Sequence, residues 1–275
     1  MNAPLVSIKE PISSYRAAQH TFVVCAYGKS PYLEESVVSL LRQTVKSHIL
    51  MATFTPNKLI CACAEKYGVP LLVNTGKAGI SGDWNFALSC AQTALVTLAH
   101  QDDLYEPAYT EEMLRAMNAA RDPLVFFSDY AELRGKEKVI RNRLLRIKRF
   151  LLLPVALAPS SKAARRLSLA FGNPICCPSV TYRREIIAAH PFQEGFKSNL
   201  DWQQWECLSD LEGSFVYCRA PLMCHRIHEG SETSRLLEND LRRAEDYAMF
   251  RRFWPRWMAK LLAKLYAASY RSNQN

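Results

Sequence analysis

Two adjacent carboxylates, Asp102 and Asp103, follow the apolar run Leu95–Ala99 and point first to chemistry. Neighbouring acids repel, and a hard cation held between them and a phosphate relieves that repulsion. Magnesium or manganese commonly takes one or two protein carboxylates together with substrate phosphates. A solvated loop with a helix-capping Asp is the alternative. His225 and His228 form a second cluster. At a spacing of three they share a face on a helix but not on a strand. An imidazole there could complete a manganese site; polar surface histidines beside Arg226 are the alternative. Asp201 stands next to Trp202. An acid beside aromatics can have a raised pKa and act as a general base, or it can simply cap a helix. Asp83 follows Gly76, Gly79 and Gly82 and opens a helix, whose N-terminus suits a phosphate, although Asp83 there opposes one and can simply cap. Trp202, Trp205, Trp254 and Trp257 could stack on a sugar or base, although core packing is the commoner role.

The elements that must position these residues are readable from periodicity. Thr21–Ala26 reads as a buried strand, and Leu33, Val37, Leu40 and Leu41 fall at helical spacing behind Ser30 and Pro31. His48–Phe54 is a second strand. A turn at Thr55–Asn57 opens a helix that Gly68 closes. Val69–Asn74 is a third strand, Asp83–Ala94 a helix, Leu95–Ala99 a fourth strand, Glu111–Ala120 a helix and Pro123–Ser128 a fifth strand. This alternation predicts an α/β domain with a doubly wound, mostly parallel sheet. Ligands of such sheets sit at the carboxyl ends of strands. Tyr27–Lys29, Thr53–Asn57 and His100–Asp103 lie there. The glycine loop matches neither the dinucleotide fingerprint nor a P-loop. Beyond it, Arg141–Leu153 reads as helix, Gly172–Tyr182 as extended and turn-rich, 199–211 as helix and Ser214–Arg219 as strand. Leu236–Tyr270 reads as mostly helix with a break near Pro255.

The composition is that of a folded protein: 275 residues, 49% hydrophobic, 22% charged, formal charge +9. The charge is uneven. Residues 1–137 hold 12 Lys/Arg and 14 Asp/Glu, whereas residues 138–275 hold 23 and 12. From Lys138 to Arg184 there are 11 basic residues and no acid. Such a half suggests an anionic partner. Nucleic acid is excluded, because no recognised module or aromatic interleaving accompanies the charge. The tail Arg251–Lys264 mixes cations with Trp, Phe and Leu. It suits an interfacial amphipathic helix, or a helix packed on its own domain with a solvated basic face. Nine cysteines, an odd number with two close pairs, argue for free thiols in a reducing compartment. The longest apolar run, Phe150–Ala158, is too short to span a bilayer. Lys9, Glu10 and Arg16 interrupt any leader-like segment. The expectation is a cytoplasmic protein, soluble or peripheral on the inner face of the plasma membrane.

Taken in order, these pieces resemble family 2 glycosyltransferases of the GT-A fold, over about residues 20–250. Phe22–Ser30 is similar to the family's first strand and its Pro-x-Tyr-Asn turn, here Cys25-Ala26-Tyr27-Gly28. Tyr32–Thr44 resembles the helix that follows, and Asn74–Leu88 the Asn-x-Gly segment. His100–Tyr105 resembles the Asp-x-Asp-Asp metal motif, and His225–Thr233 the Arg-x-His segment. The resemblance implies inverting transfer from a nucleotide-sugar donor, in surface polysaccharide synthesis of the lipopolysaccharide, capsule or exopolysaccharide kind. It implies that Asp102 and Asp103, with His228 and then His225, hold manganese or magnesium. Asp201 stands where the family has its catalytic base. Ala26, Tyr27, Thr53, Gly79, Asp83, Asn85, His100 and Gln101 are expected at the donor, and Asn173 and Trp202 at a glycan or lipid-linked acceptor. The expected organisation is an arm (1–20), a GT-A domain (21–235; nucleotide half about 21–130, acceptor half about 131–235) and a basic helical tail (236–275). Three positions depart from the pattern. His100 replaces the first Asp of the metal motif, Thr53-Phe54-Thr55 stands where an Asp reads the base, and Trp84 replaces an Arg. The first two motivate an alternative: a non-catalytic module that holds a glycan, lipid carrier or partner transferase at the membrane.

Overall fold

The structure is a computed structural model that describes residues 14–228 and 240–271. Parts of three expected segments lie outside them: the start of the arm (1–13), the end of the His225–Thr233 motif (229–233) and the first turn of the expected tail (236–239). Nine strands form one sheet: β1 (His20–Ala26), β2 (His48–Thr53), β3 (Leu71–Val73), β4 (Leu95–His100), β5 (Leu104–Tyr105), β6 (Pro123–Arg134), β7 (Glu137–Val139), β8 (Val180–Arg183) and β9 (Ser214–Ile227). Their order is β3-β2-β1-β4-β8-β6-β9-β5, with β7 on the side of β6. The strands β3-β2-β1-β4 are parallel, as are β6 and β9; β8 runs antiparallel between β4 and β6. The fold is thus α/β with a mostly parallel sheet.

β1 and β4 are buried along nearly their whole length, as expected for inner strands of a covered parallel sheet. Alternation divides the core into two layers. Phe22, Val24 and Ala26 pack with α1 (Leu33–Leu41), α2 (Lys58–Tyr67) and α4 (Tyr109–Ala119). Val23 faces the opposite layer with α3 (Ile80–Cys90), α9 (Leu200–Ser209) and the C-terminal helices. The caps of α2 are those the sequence suggested. The Asn57 side chain accepts N–H bonds from Leu59 and Ile60, and Gly68 closes the helix at φ 61°.

Three differences from the sequence reading bear on the site. First, α3 begins at Ile80 rather than Asp83. The glycine loop folds tightly enough that a Cβ on Gly82 would collide with the Lys77 carbonyl oxygen. Second, β6 and β9 run well past their expected ends at Ser128 and Arg219. Register shifts opposite Ser128–Tyr130 insert extra residues into β9 and re-aim its second half. Third, four helices follow β7 and β8: α6 (Leu153–Leu157), α7 (Lys162–Leu169) and α8 (Arg184–Ala189) bury residues in the Val23 layer, whereas α5 (Arg143–Leu151) buries Leu145 in the Phe22 layer. Of these the sequence marked only α5.

The tail is two helices, α10 (Asp240–Arg251) and α11 (Arg256–Arg271), divided near Pro255. Met249, Phe250 and Ala259 are fully buried, so the tail is packed on the domain. All nine cysteines are free thiols. Among the described residues, no helix is long and apolar enough to cross a membrane.

Candidate active site

β4 delivers His100, Gln101, Asp102 and Asp103 to its carboxyl end, where the chain turns into β5. The short pairing of Leu104 with Cys224 brings the end of β9 alongside. Asp103 is fully buried. Its Oδ1 accepts the backbone N–H of Arg226 at 2.8 Å and lies 3.0 Å from His225 Nδ1. Its Oδ2 has no hydrogen-bond partner and lies 3.8 Å from His100 Nδ1. His100 Nε2 is likewise buried without a partner. Asp102 Oδ2 is 2.9 Å from His228 Nε2.

One ligand atom from each of His100, Asp102 and Asp103 can lie within 4.8 Å of the other two. The buried, unpartnered Asp103 Oδ2, with His100 Nδ1 at 3.8 Å and Asp102 in the same group, fits a divalent cation. His225 and His228, expected as ligands, each reach one carboxylate, from β9 and its end. Such carboxylate–imidazole pairs orient the groups around a metal. His100, expected at the donor, joins the three-residue group.

Burial alone would raise the Asp102 carboxyl. The nearby imidazoles, with a hydrogen bond from His228, outweigh it and hold Asp102 below the usual carboxylate range. Burial lowers His225, but Asp103 and Asp102 more than offset it, so this imidazole is raised.

Arg226 locks the two strand ends together, a role the sequence reading missed. Its Nε–H donates to the Asp102 carbonyl at 2.8 Å and its Nη2–H to Glu35 at 2.6 Å. The guanidinium lies 4.2 Å from the Tyr32 ring centroid. Its Arg-x-His setting was a usable signal; Glu35, on α1, offered none. Ser36 Oγ–H donates to the His100 carbonyl. Trp84 stacks on His100 at 5.4 Å and fixes the imidazole from α3.

The expected donor residues gather around the same strand ends. Gln101 bonds Tyr27 in both directions, accepting its N–H at 2.9 Å and donating to its carbonyl at 3.0 Å. Tyr27 keeps its ring exposed, while Ala26 is buried as the last residue of β1. Thr53 is buried at the end of β2, where its hydroxyl accepts the Thr55 N–H. Asn74 donates to Asp83 Oδ1 at 2.9 Å and accepts from Gly76, which closes the glycine loop. Burial raises the Asp83 carboxyl despite the Asn74 bond. Gly79 precedes α3 at φ 112°. Asn85 is different: both ends of its amide bond the Phe192 backbone at 2.9 Å, so it clamps a loop.

Asp201, expected as the base, lies in the first turn of α9. Its Oδ2 accepts from Asn173 Nδ2 at 2.7 Å and its Oδ1 from the Trp202 N–H at 2.8 Å. Burial dominates and raises its carboxyl, while these two bonds and the charges of Lys148 and Arg242 pull it down. The alternative of a helix cap does not describe it: Asn199 occupies the cap position, and the Asp201 bond goes to its neighbour's N–H. Trp202 corrects an expectation. It is 0% exposed, its indole N–H donates to the Leu169 carbonyl, and it packs on Phe250. A fully enclosed ring offers no face to an acceptor, so Trp202 is core.

A sequence model of the family described as "Glycosyl transferase family 2" matches residues 21–189. No curated protein sequence matches the chain. Among solved structures, Staphylococcus aureus TarS (residues 1–349, with UDP-GlcNAc) superposes with a TM-score of 0.58 at 15% identity, covering 86% of this chain and 71% of that one. The mannosyltransferase PcManGT from Pyrobaculum calidifontis, with GDP-Man and Mn2+, superposes with a TM-score of 0.63 at 13% identity, covering 95% and 77%. These likenesses establish the shared fold. With the family match spanning more than half of the chain, the protein belongs to glycosyl transferase family 2.

Proposed function

We propose that this chain transfers a sugar, with inversion, from a nucleotide-sugar donor to a glycan or lipid-linked acceptor in surface polysaccharide assembly. The observation that carries this reading is the His100–Asp102–Asp103 group at the carboxyl end of β4, with the buried Asp103 Oδ2 unpartnered. His100, Asp102 and Asp103 would hold manganese or magnesium, which, when bound, offsets the charge developing on the leaving nucleoside diphosphate. Tyr27, Gln101, Thr53 and the 74–83 loop line the nucleotide side, within a nucleotide half of about 21–130. Asp201, in the acceptor half of about 131–235, takes the proton of the acceptor hydroxyl. As that oxygen bonds to the anomeric carbon, the bond to the diphosphate breaks on the opposite face. A buried carboxyl with a raised pKa suits this work, because it is a stronger base than an exposed one. TarS is solved with a uridine nucleotide-sugar and PcManGT with a guanosine one. The nucleobase is therefore left to measurement.

The test is a thermal-shift panel of nucleoside diphosphates and nucleotide-sugars, with and without Mn2+. A metal-dependent rise for one nucleotide supports the reading. Asp201→Asn should keep that rise and lose turnover; turnover at the wild-type rate would remove Asp201 from the role. His100 in place of an acid favours a second reading, a non-catalytic module holding a glycan, lipid carrier or partner transferase. That reading predicts no metal-dependent nucleotide shift at all.

A further inference from the structure

The helix α11 has two unlike sides. Inward, Ala259 is fully buried, and Leu262, Ala263 and Tyr266 pack on the core. Outward, Arg256, Trp257, Lys260, Leu261, Lys264 and Leu265 are all exposed. A spacing of four sets Trp257, Leu261 and Leu265 in one row along the helix, with the three cations in the row beside it. The apolar members are far from covered: Trp257 is 67% exposed, Leu261 51% and Leu265 60%. A helix that only covers its own domain needs no large apolar row on its water side. The same pairing of features recurs nearby. On α5 and α6, Phe150 is 69% exposed and Leu157 79%, within the stretch from Lys138 to Arg184 that carries 11 cations and no acid. Lys148 of α5 lies within electrostatic reach of Tyr266 of α11.

We infer that the outer face of α11 docks on an anionic lipid bilayer, lying parallel to its surface. Trp257, Leu261 and Leu265 enter the boundary between headgroups and acyl chains, while Arg256, Lys260 and Lys264 meet the lipid phosphates. Charge complementarity selects this occupant. A protein interface would place its apolar row inside a patch depleted of lysine, and a stable dimer needs about 800 Å² per partner, far more than one three-residue row provides. Docking has a consequence for the site, a clause that rests on the transferase reading. The inward face of the same helix supplies Tyr266, whose hydroxyl accepts the Asn173 N–H at 3.2 Å, and Asn173 holds Asp201. A helix seated on the bilayer therefore sets the height of the base above the lipid surface, where a lipid-linked acceptor presents its sugar.

The test is cosedimentation with vesicles of phosphatidylcholine alone or mixed with phosphatidylglycerol. Two triple variants accompany the wild type: Trp257→Ser with Leu261→Ser and Leu265→Ser, and Arg256→Gln with Lys260→Gln and Lys264→Gln. The expected result is binding to the mixed vesicles only. Neutralising the three cations should weaken it roughly a hundredfold, at about fivefold for each cation. Removing the apolar row should abolish it. All six residues are exposed, so circular dichroism and the metal-dependent nucleotide shift should be unchanged, which separates a failure here from a failure of the donor site. Two results overturn the proposal: no binding of wild type to anionic vesicles, or binding that survives both triple variants. A wild-type dimer in sedimentation velocity, lost with the apolar row, would assign the face to a second copy instead.

Discussion

Asn173→Ala isolates one hydrogen bond on the residue assigned as base. Asp201 sits under opposing influences: burial raises its carboxyl, and two hydrogen bonds with two nearby cations lower it. The Asn173 bond, at 2.7 Å, is short and goes to the ionised form. A hydrogen bond to a charged group is worth about 1.5–3 kcal/mol, and 1.36 kcal/mol moves a pKa by one unit, so its loss should raise Asp201 by about one to two units. The direction is fixed: a bond that favours the carboxylate is removed, burial is unopposed on that oxygen, and the proton is held to higher pH. Carboxyl-detected NMR titration of labelled aspartates reads this without an acceptor, the Asp201 resonance being assigned by its loss in Asp201→Asn. Where turnover can be followed, the acid limb of kcat/KM should move up by the same amount, with the plateau at higher pH largely kept. A purely structural role for Asn173 would lower the plateau and leave the limb in place. An unmoved Asp201 titration, or one displaced to lower pH, would refute the reasoning.

Two further outcomes follow from the structure. In the proposed metal site His100 would supply an imidazole nitrogen where the family pattern has an Asp, and nitrogen donors favour later transition metals over magnesium. His100→Asp should therefore lower the preference for Ni2+ and Co2+ over Mg2+, measured by calorimetric titration of the metals alone; an unchanged order would place His100 outside the coordination shell. Asp246 is buried, with Oδ1 on Asn199 at 2.9 Å and Oδ2 unpartnered, and burial raises its carboxyl from 3.8 to about 6. A folded pKa above the unfolded one means that its stabilising contribution is complete below 3.8 and is lost as the pH rises through about 6. Asp246→Asn should remove that dependence and gain up to about 3 kcal/mol at neutral pH; a stability difference that is the same at acid and neutral pH would contradict it.

What the sequence showed clearly was local. The strands β1, β2 and β4 are continuous apolar runs, and Asn57 and Gly68 mark the ends of α2 by chemistry contained within it. Asp102 and Asp103 could be placed at a strand end for the same reason. What stayed hidden depends on long-range pairing. β8 enters the sheet antiparallel between β4 and β6, and nothing in its four residues announces that neighbour pair. The end of β9 was invisible because the register shifts around Pro221 break the period of two that identifies a strand. As a result His225, set opposite Glu132 across the sheet, was free to be imagined on a helix. Trp202 misled for a related reason: an aromatic beside an acid reads the same whether it faces a ligand or the core, and only the arrival of α10 and α11 encloses it.

The replacement of an acid by His100 is better understood as a change in charge balance than as damage. Around the end of β4 stand the carboxyls of Asp102, Asp103 and Glu35, faced by the guanidinium of Arg226 and three imidazoles. Asp103 has one oxygen satisfied twice and the other enclosed with no partner, and an unpaired buried carboxylate oxygen is costly. An acid at position 100 would add a further negative charge beside that oxygen. A histidine adds none while neutral, and it sets its Nδ1 3.8 Å from that oxygen. A cation held between that oxygen and the imidazole would relieve the cost. Trp84, stacked on the imidazole in place of the family's arginine, fits the same arrangement: with the acid gone, a flat ring positions His100 where a second cation would have repelled the metal. The two departures at 84 and 100 are therefore coupled, and reverting His100 alone should disturb the site more than reverting both together.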